Sequence, residues 1–404
     1  MSTEGPSEAT DGAGDAHEAI PQAEVAKTLV DNGVTLAALD RYEEAVAVYD
    51  EVLSRFGDDD DLALRLQVAR ALVNKGLALG RLDRREEAIA IYDGVVSRFG
   101  DTDDKAFQVV VAKGLLSKGN TLGRYEDAIA AYDELVSRFG DTDDPVLGDL
   151  VTKGLVNKGT ALGRLDRYEE AIAIYDGVFS RFGDTEEEVL QVAVAKVLVN
   201  KGAMLGRLGR HEEAIVSYDE AVSRFGDADD PVLRDPVAKA LSNKGIMLGL
   251  LDRPEEALAA FDDLVSRFGD TDDKALQVVV ADGLVNKGAI LGLLLRHEEA
   301  ISTNEELQSR FGASRDPAMG ERLAHALFNK AFSLGKLGRH EEEITAYDLL
   351  LSRLGATDNP AVEEPTARAL LSKAVALGKL GHYRRRSPPS TFSCHALATP
   401  ATRP

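Results

Sequence analysis

Apolar and small residues return along this chain at helical spacing, in two stripes per unit. In Val68–Leu82 (VARALVNKGLALGRL), Leu72, Gly76 and Leu79 stand at i, i+4 and i+7, one face of a helix. Asp83-Arg84 marks a turn. In Arg85–Phe99 (REEAIAIYDGVVSRF), Ala88, Tyr92 and Val95 form a second stripe at the same spacing. The two segments predict a helix hairpin, each helix apolar on one side. Gly100 is expected to stop the second helix by taking a positive φ. The Asp-rich stretch behind it is expected to supply N-caps and early-turn carboxylates for the next helix.

The hairpin is repeated. Ser-Arg-Phe-Gly recurs at Ser54–Gly57, Ser97–Gly100, Ser137–Gly140, Ser180–Gly183, Ser223–Gly226, Ser266–Gly269 and Ser309–Gly312, with Leu354 replacing Phe in the last copy, Ser352–Gly355. Copies are 43 residues apart, except one step of 40. A fixed period of this size means one supersecondary unit stacked many times. Small pairs mark where the helices are expected to cross closely: Gly76 with Ala88, Gly119 with Ala128, Gly159 with Ala171, Gly202 with Ala214, Gly245 with Ala257, Gly288 with Ala300. A mid-helix Gly costs about 1 kcal/mol against Ala, so its return at one phase implies a packing reason. The short step is expected to give a tighter turn at Gly123-Arg124-Tyr125. Pro254 opens a second helix, where a missing N–H costs little.

Leu72, Gly76, Leu79, Ala88, Tyr92 and Val95 resemble the spacing of the tetratricopeptide repeat, over roughly residues 26–381. The resemblance implies an all-α, right-handed superhelical solenoid of antiparallel helix pairs: eight pairs and one unpaired helix at Ala367–Gly381, about 17 helices. Two departures stand out. That family's unit has about 34 residues, and its Pro after the second helix is Gly here. The extra residues, within Asp101–Val111 and its equivalents, are expected to lengthen the next first helix at its start. Residues 1–22 read as a disordered acidic segment, 23–383 as the solenoid, and 384–404 as a disordered tail in which Arg384-Arg385-Arg386 is either solvated or a contact for an acidic surface or nucleic acid.

Composition narrows the function. A net charge of −22 opposes nucleic acid as the partner. One cysteine, Cys394, excludes an intramolecular disulfide and a cysteine-built metal site. Residues 1–22 lack the basic and apolar regions of a signal peptide, and no apolar run of 18 residues is expected. The expectation is a cytoplasmic protein with no membrane contact.

The resemblance places first helices on the concave side. Opposite the Leu72/Gly76/Leu79 stripe lie Arg70, Asn74, Leu77 and Arg81; then Lys113, Ser117, Asn120, Arg124; Lys153, Asn157, Thr160, Arg164; and Lys196, Asn200, Ala203, Arg207. Later sets are Lys239, Asn243, Ile246, Leu250; Asp282, Asn286, Ala289, Leu293; and His325, Asn329, Phe332, Lys336. Two candidate features follow. Asn74, Asn157, Asn200, Asn243, Asn286 and Asn329 form a ladder of amides, each with a donor and an acceptor for an extended peptide backbone. Peptide-binding members of the family are similar in using asparagines at this place; a copied, neutral Asn is the other reading. Arg70, Lys113, Lys153, Lys196 and Lys239 form one basic row, and Arg81, Arg124, Arg164 and Arg207 another. These rows favour an acidic guest, or they pair with carboxylates of neighbouring units. Lys75, Lys118, Lys158, Lys201, Lys244, Lys287 and Lys330 are expected at the groove's border.

Other features carry no chemistry. The acidic loops Asp58–Asp61, Asp101–Asp104, Asp141–Asp144, Asp227–Asp230 and Asp270–Asp273 lack the frame of a calcium loop and read as caps. Glu86-Glu87 and Glu169-Glu170 sit where a helix N-terminus favours carboxylates. His211, His297 and His340 replace Tyr42 and Tyr168 as packing or surface variants. No phosphate loop, nucleophile elbow or zinc spacing is present. The sequence therefore points to a non-enzymatic protein-interaction scaffold without cofactor or metal, monomeric, holding an extended acidic peptide. The alternatives are an architectural, self-associating repeat protein and a regulatory arm of a catalytic partner.

Overall fold

A computed structural model describes residues 21–227, 230–354 and 363–386. Among them are seventeen α-helices and no strand. The first helices of the hairpins are α1 (Gln22–Ala38), α3 (Leu62–Arg81), α5 (Lys105–Thr121), α7 (Pro145–Arg164), α9 (Glu188–Arg207), α11 (Pro231–Leu250), α13 (Lys274–Leu293) and α15 (Pro317–Lys336). Their mates are α2 (Tyr42–Phe56), α4 (Arg85–Phe99), α6 (Tyr125–Phe139), α8 (Tyr168–Phe182), α10 (His211–Phe225), α12 (Pro254–Phe268), α14 (His297–Phe311) and α16 (His340–Leu354). A last first helix, α17 (Glu363–Arg386), has no mate among the described residues. The tail expected at 384–404 lies outside the described residues from 387 on, and 384–386 close α17. The segment expected at 1–22 lies outside them up to residue 20.

The helices group into two compact units, Met1–Ala193 and Val194–Pro404. In the first, each helix packs on the next from α1 to α8; in the second, from α10 to α17. First helices also touch first helices: α1–α3, α3–α5 and α5–α7 in one unit, α11–α13 and α13–α15 in the other. Among the described residues no two second helices pack this closely. Each unit is thus more tightly spaced on its first-helix side.

The local chemistry explains the elements. Asp61, Asp104, Asp144, Asp230, Asp273 and Asp316 are N-caps, their carboxylates accepting backbone N–H groups of the helices they open. The added length of the unit lies in first helices of up to 20 residues against second helices of 15. The left-handed residue sits in the turn between the two helices, not after the second. Asp83 has φ 60°, with Asp40, Asp166, Asp252 and Leu295 in the same conformation and Gly209 and Gly338 at 75°. The Arg84 N–H reaches Leu79 O at 2.9 Å, closing the first helix.

Two expectations need correction here. Gly100 does not take a positive φ; it is right-handed helical at −69°. Its role is to lack a Cβ: at Gly183 that atom would lie 2.6 Å from the Phe179 carbonyl oxygen. The bare end also lets the next copy cap it. Arg181 donates to Gly140 O and, at 3.1 Å, to Thr142 O; Arg267 donates to Gly226 O at 3.0 Å and Arg353 to Gly312 O at 2.9 Å. Ser-Arg-Phe-Gly therefore joins units, since its Phe is core (Phe99 is 3% exposed) and its Arg satisfies carbonyls that the previous helix leaves open. Next, the 40-residue step does not tighten the turn. Three residues are missing from α5, which has 17 residues against 20 in α3, and the loop stays at Leu122–Arg124. α9 and α13 each contain an 18-residue window of mean hydropathy 1.3 and 1.4, interrupted by Lys196 and Lys201 in one and by Asp282 and Lys287 in the other. Such windows arise because a first helix is covered on two sides; α13 packs on both α12 and α14.

Candidate peptide-binding face

In the paired first helices from α3 to α15 the Leu-Gly-Leu stripe turns inward, with Ala331 for Gly in α15. The mid-helix glycines face an aromatic ring rather than the small residue of the second helix, except Gly288, which faces Asn304. A Cβ at Gly76 would lie 2.6 Å from Tyr92 Cε1, and one at Gly245 2.6 Å from Phe261 Cζ. The rings are buried: Tyr49, Tyr92, Tyr175, Tyr218 and Phe261 are each at most 1% exposed. Desolvation pushes Tyr49, Tyr92 and Tyr132 up to about 12.

Helical spacing sets the expected groove residues of each first helix along one line, except Arg124, which lies beyond α5 as the N-cap of α6. In the first unit Arg70, Leu77 and Arg81, Lys113, Asn120 and Arg124, and Lys153, Thr160 and Arg164 are exposed, whereas Asn74 and Asn157 are half-buried. In the second unit Lys196, Arg207 and Lys239 are exposed, and Asn200, Asn243, Asn286 and Asn329 are half-buried.

The half-burial of the amides has a cause that sequence reasoning missed. Asn157 and Asn243 lie beside Tyr132 and Tyr218 of the preceding hairpins, whereas Asn286 and Asn329 follow hairpins that carry Phe261 and Asn304 at that place. Asn157 Nδ2 donates to Asn120 Oδ1 at 2.8 Å, and the Tyr132 hydroxyl donates to the same oxygen at 2.7 Å. Burial raises the Tyr132 and Tyr218 hydroxyls, and hydrogen bonds from Asn157 and Asn243 lower them in part. Asn329 Nδ2 points at Val285 O, 3.4 Å away on the neighbouring first helix. In the third copy the ladder place is Ser117, 9% exposed, and Asn120 supplies the amide one turn later.

The neighbouring lysines belong to the same joint. Lys75 pairs with Asp50, Lys118 with Asp93 at 2.6 Å and Lys158 with Asp133; in the second unit Lys244 pairs with Asp219, Lys287 with Asp262 and Lys330 with Glu305 at 2.8 Å. The acidic partner lies 25 residues earlier, on the preceding second helix. The carboxylate that follows Tyr (Phe261 and Asn304 in two copies) on one hairpin thus meets the lysine that follows Asn (Ser117 in the third copy) on the next. These lysines are not groove-border charges; the ion pairs hold them in the joint.

The two basic rows are engaged differently. Arg70, Arg81, Lys113 and Arg164 form no ion pair among the described residues of the first unit, nor do Lys196 and Arg207 in the second. Lys153 and Lys239 bond only to Asp149 and Asp235 one turn away on their own helices, at 2.7 and 2.8 Å, and Arg124 lies 3.9 Å from Asp127. Exposed i,i+4 pairs of this kind are worth about 0.3–0.5 kcal/mol, so an anion can displace them. Toward the C-terminus the face turns apolar: Leu250 is 63% and Leu293 82% exposed. There a cavity of about 350 Å³ is lined by Val285, Ala289, His325, Phe328, Asn329 and Arg368. Among the described residues no cluster of His, Cys, Asp or Glu could hold a metal.

Family models described as tetratricopeptide repeat match residues 30–104 and 121–178, and 195–226. The apo form of RapI is similar in structure, with a TM-score of 0.57 at 11% identity, covering 89% of this chain and 99% of that one. The apo form of the quorum sensor NprR from B. thuringiensis gives 0.50 at 13% identity, over 83% and 89%. No curated protein matches the sequence.

Proposed function

The chain belongs to the tetratricopeptide repeat family, and from that premise we propose that it is a non-catalytic scaffold holding an extended acidic peptide along its first-helix face. One observation carries the reading. In a protein of net charge −22, the face where first helices crowd together presents cations without strong partners, Arg70, Lys113 and Lys153 in one row and Arg81, Arg124 and Arg164 in the other. Like-signed charges gathered on one side of an oppositely charged body attract an anionic guest. Lys196, Lys239 and Arg207 offer the same chemistry in the second unit, and exposed Leu250, Leu293 and Phe332 suit apolar side chains of the guest. The amides play a narrower part than a free ladder would. Asn157 gives its N–H to Asn120, so its carbonyl is the group left to accept from a peptide N–H.

The test uses fluorescent peptides of alternating Glu-Leu and alternating Lys-Leu. The acidic peptide binds, and its affinity falls as salt rises. Lys113→Glu with Lys153→Glu abolishes binding and leaves the helical spectrum intact. Asn157→Ala, Asn200→Ala and Asn243→Ala together weaken both peptides equally, because the amides read backbone. Equal binding of the two peptides by the parent chain, or unchanged binding after the charge reversal, refutes the reading.

A further inference from the structure

The cavity in the second unit is built around a residue that breaks the repeat. On α15, Phe328 takes the place that the other first helices give to Val, Leu or Ser. Its ring meets Tyr347 edge-on at 6.0 Å, and the Arg368 guanidinium of α17 lies over it at 5.3 Å. Among the described residues α17 does not pack on α15 as closely as α15 packs on α13. The small side chains of Ala289 and Ala324 line the same space, about 350 Å³. Ligand pockets run from about 300 to 1,000 Å³.

Three polar groups line it without strong partners. Arg368 follows His325 by 43 residues and so continues the first basic row. Both are exposed, and neither has an ion pair among the described residues. Asp282, the one carboxylate in that row, is held by Arg322 Nη2 at 3.0 Å. The third group is Asn329. Its equivalent Asn243 hydrogen-bonds the Tyr218 hydroxyl, but Asn304 stands where Asn329 would find such a hydroxyl. Asn329 Nδ2 has the Val285 carbonyl oxygen at 3.4 Å, longer than a good N–H···O bond of about 2.9 Å, and its Oδ1 has no partner among the described residues. Asn286 follows Phe261 and lacks the hydroxyl too, but it does not line this cavity.

We propose that the cavity takes one tyrosine side chain of the guest. This rests on the reading of the first-helix face as a peptide-binding surface and adds the residue that the face selects. The ring stacks on the planar Arg368 guanidinium and extends the series Tyr347, Phe328, Arg368. The hydroxyl donates to Asn329 Oδ1, replacing the bond that the chain's own tyrosine makes at the Asn243 joint. A guest Leu gains burial alone; a guest Phe gains burial and stacking without the hydrogen bond.

Two probes test it. The first is the alternating Glu-Leu peptide with its central Leu replaced by Phe or by Tyr. The Tyr peptide binds about 3- to 10-fold more tightly than the Phe peptide, and Phe about 3-fold more tightly than Leu. Asn329→Ala removes the advantage of Tyr over Phe. So does Asn304→Tyr, which gives Asn329 its hydroxyl from within. The second probe is N-acetyl-tyrosinamide, which carries no charge, followed by saturation-transfer NMR at about 1 mM, where contacts of this strength are populated. It binds, and Ala289→Trp, which fills the cavity from an exposed position on α13, abolishes its signal and leaves helix content unchanged. Equal affinities of the Tyr, Phe and Leu peptides overturn the pocket and leave the acidic groove standing. Binding of N-acetyl-tyrosinamide, sensitive to Ala289→Trp, without binding of any Glu-Leu peptide does the reverse. No signal from N-acetyl-tyrosinamide, or a signal indifferent to Ala289→Trp, overturns the pocket.

Discussion

Asn304 is the residue to change first. Seven of the eight hairpins bury an aromatic ring against the first helix: Tyr49, Tyr92, Tyr132, Tyr175, Tyr218, Phe261 and Tyr347, none more than 4% exposed. Hairpin α13–α14 has Asn304 there, fully buried and against Gly288. Its Nδ2 donates to Ala300 O at 2.6 Å, and its Oδ1 has no partner. Asn304→Tyr replaces an unpaired buried carbonyl, a defect of about 1–3 kcal/mol, with a ring. The ring buries about 100 Å² more apolar surface, or about 2.5 kcal/mol. Fitting losses reduce the sum, and a net gain of about 2–4 kcal/mol is expected. Asn329, 25 residues on, is placed to meet the new hydroxyl as Asn243 meets that of Tyr218. Because a solenoid opens locally, the readout is hydrogen exchange across α13 and α14. Protection should rise by about 30- to 700-fold, since 1.4 kcal/mol is a factor of ten. Tyr218→Asn should lower protection in α9 and α10, the hairpin whose Gly202 faces that ring. Unchanged or weaker protection in Asn304→Tyr would refute the claim that this site is a vacant ring position.

Leu295 is 74% exposed and holds φ at 60°, so Leu295→Gly should raise the unfolding temperature, the relief being about 1 kcal/mol; a calorimetric scan decides. Lys158→Asp should destabilise the first unit by about 1 kcal/mol in urea, and adding Asp133→Lys should restore most of it, as a joint ion pair requires. Burial raises Tyr49, Tyr92 and Tyr132 from 10.0 to about 12. Their contribution is complete below pH 10 and is lost as pH rises through 12, because the unfolded chain releases these protons first. Tyrosinate absorbance and circular dichroism should then change together in that window; tyrosinate forming well before helix is lost would contradict the burial.

Much of the fold is written in the spacing. The stripe Leu72/Gly76/Leu79 and its mate Ala88/Tyr92/Val95 repeat often enough to fix the helices, their pairing and their number. What the spacing hid is which neighbour each small residue serves. Gly76 answers Tyr92 and not Ala88, because a ring reaches further than the backbone it is attached to. Gly100 follows a helix and invites a positive φ, yet the strained position went to Asp83, whose turn ends the longer helix. On the candidate face the exposed rows were legible from i, i+4, i+7 and i+11 alone. The division of labour between Lys153 and Lys158 was not. Both are basic, five residues apart on α7; only the packing of α6 against α7 shows that Asp133 claims one and leaves the other near solvent.

That division bears on why the repeats resemble one another so closely. Most hairpins offer Tyr-Asp at the trailing edge, with Phe261-Asp262 and Asn304-Glu305 as the exceptions, and Asn-Lys at the leading edge, and the carboxylate meets the lysine at the joints seen within a unit. A segment whose edges are complementary fits between any two of its copies, so its joint residues cannot drift singly without leaving a buried hydroxyl or a charge unpaired. The residues outside the joint escape that constraint. Arg70, Lys113, Lys153, Lys239, Asp282 and His325 occupy one structural place, as do Arg81, Arg164, Leu250, Leu293 and Lys336 at the last residue of their helices. Sequence change in this chain thus gathers on the exposed first-helix face while the joints stay fixed, which is where a scaffold can alter what it holds without altering how it stands.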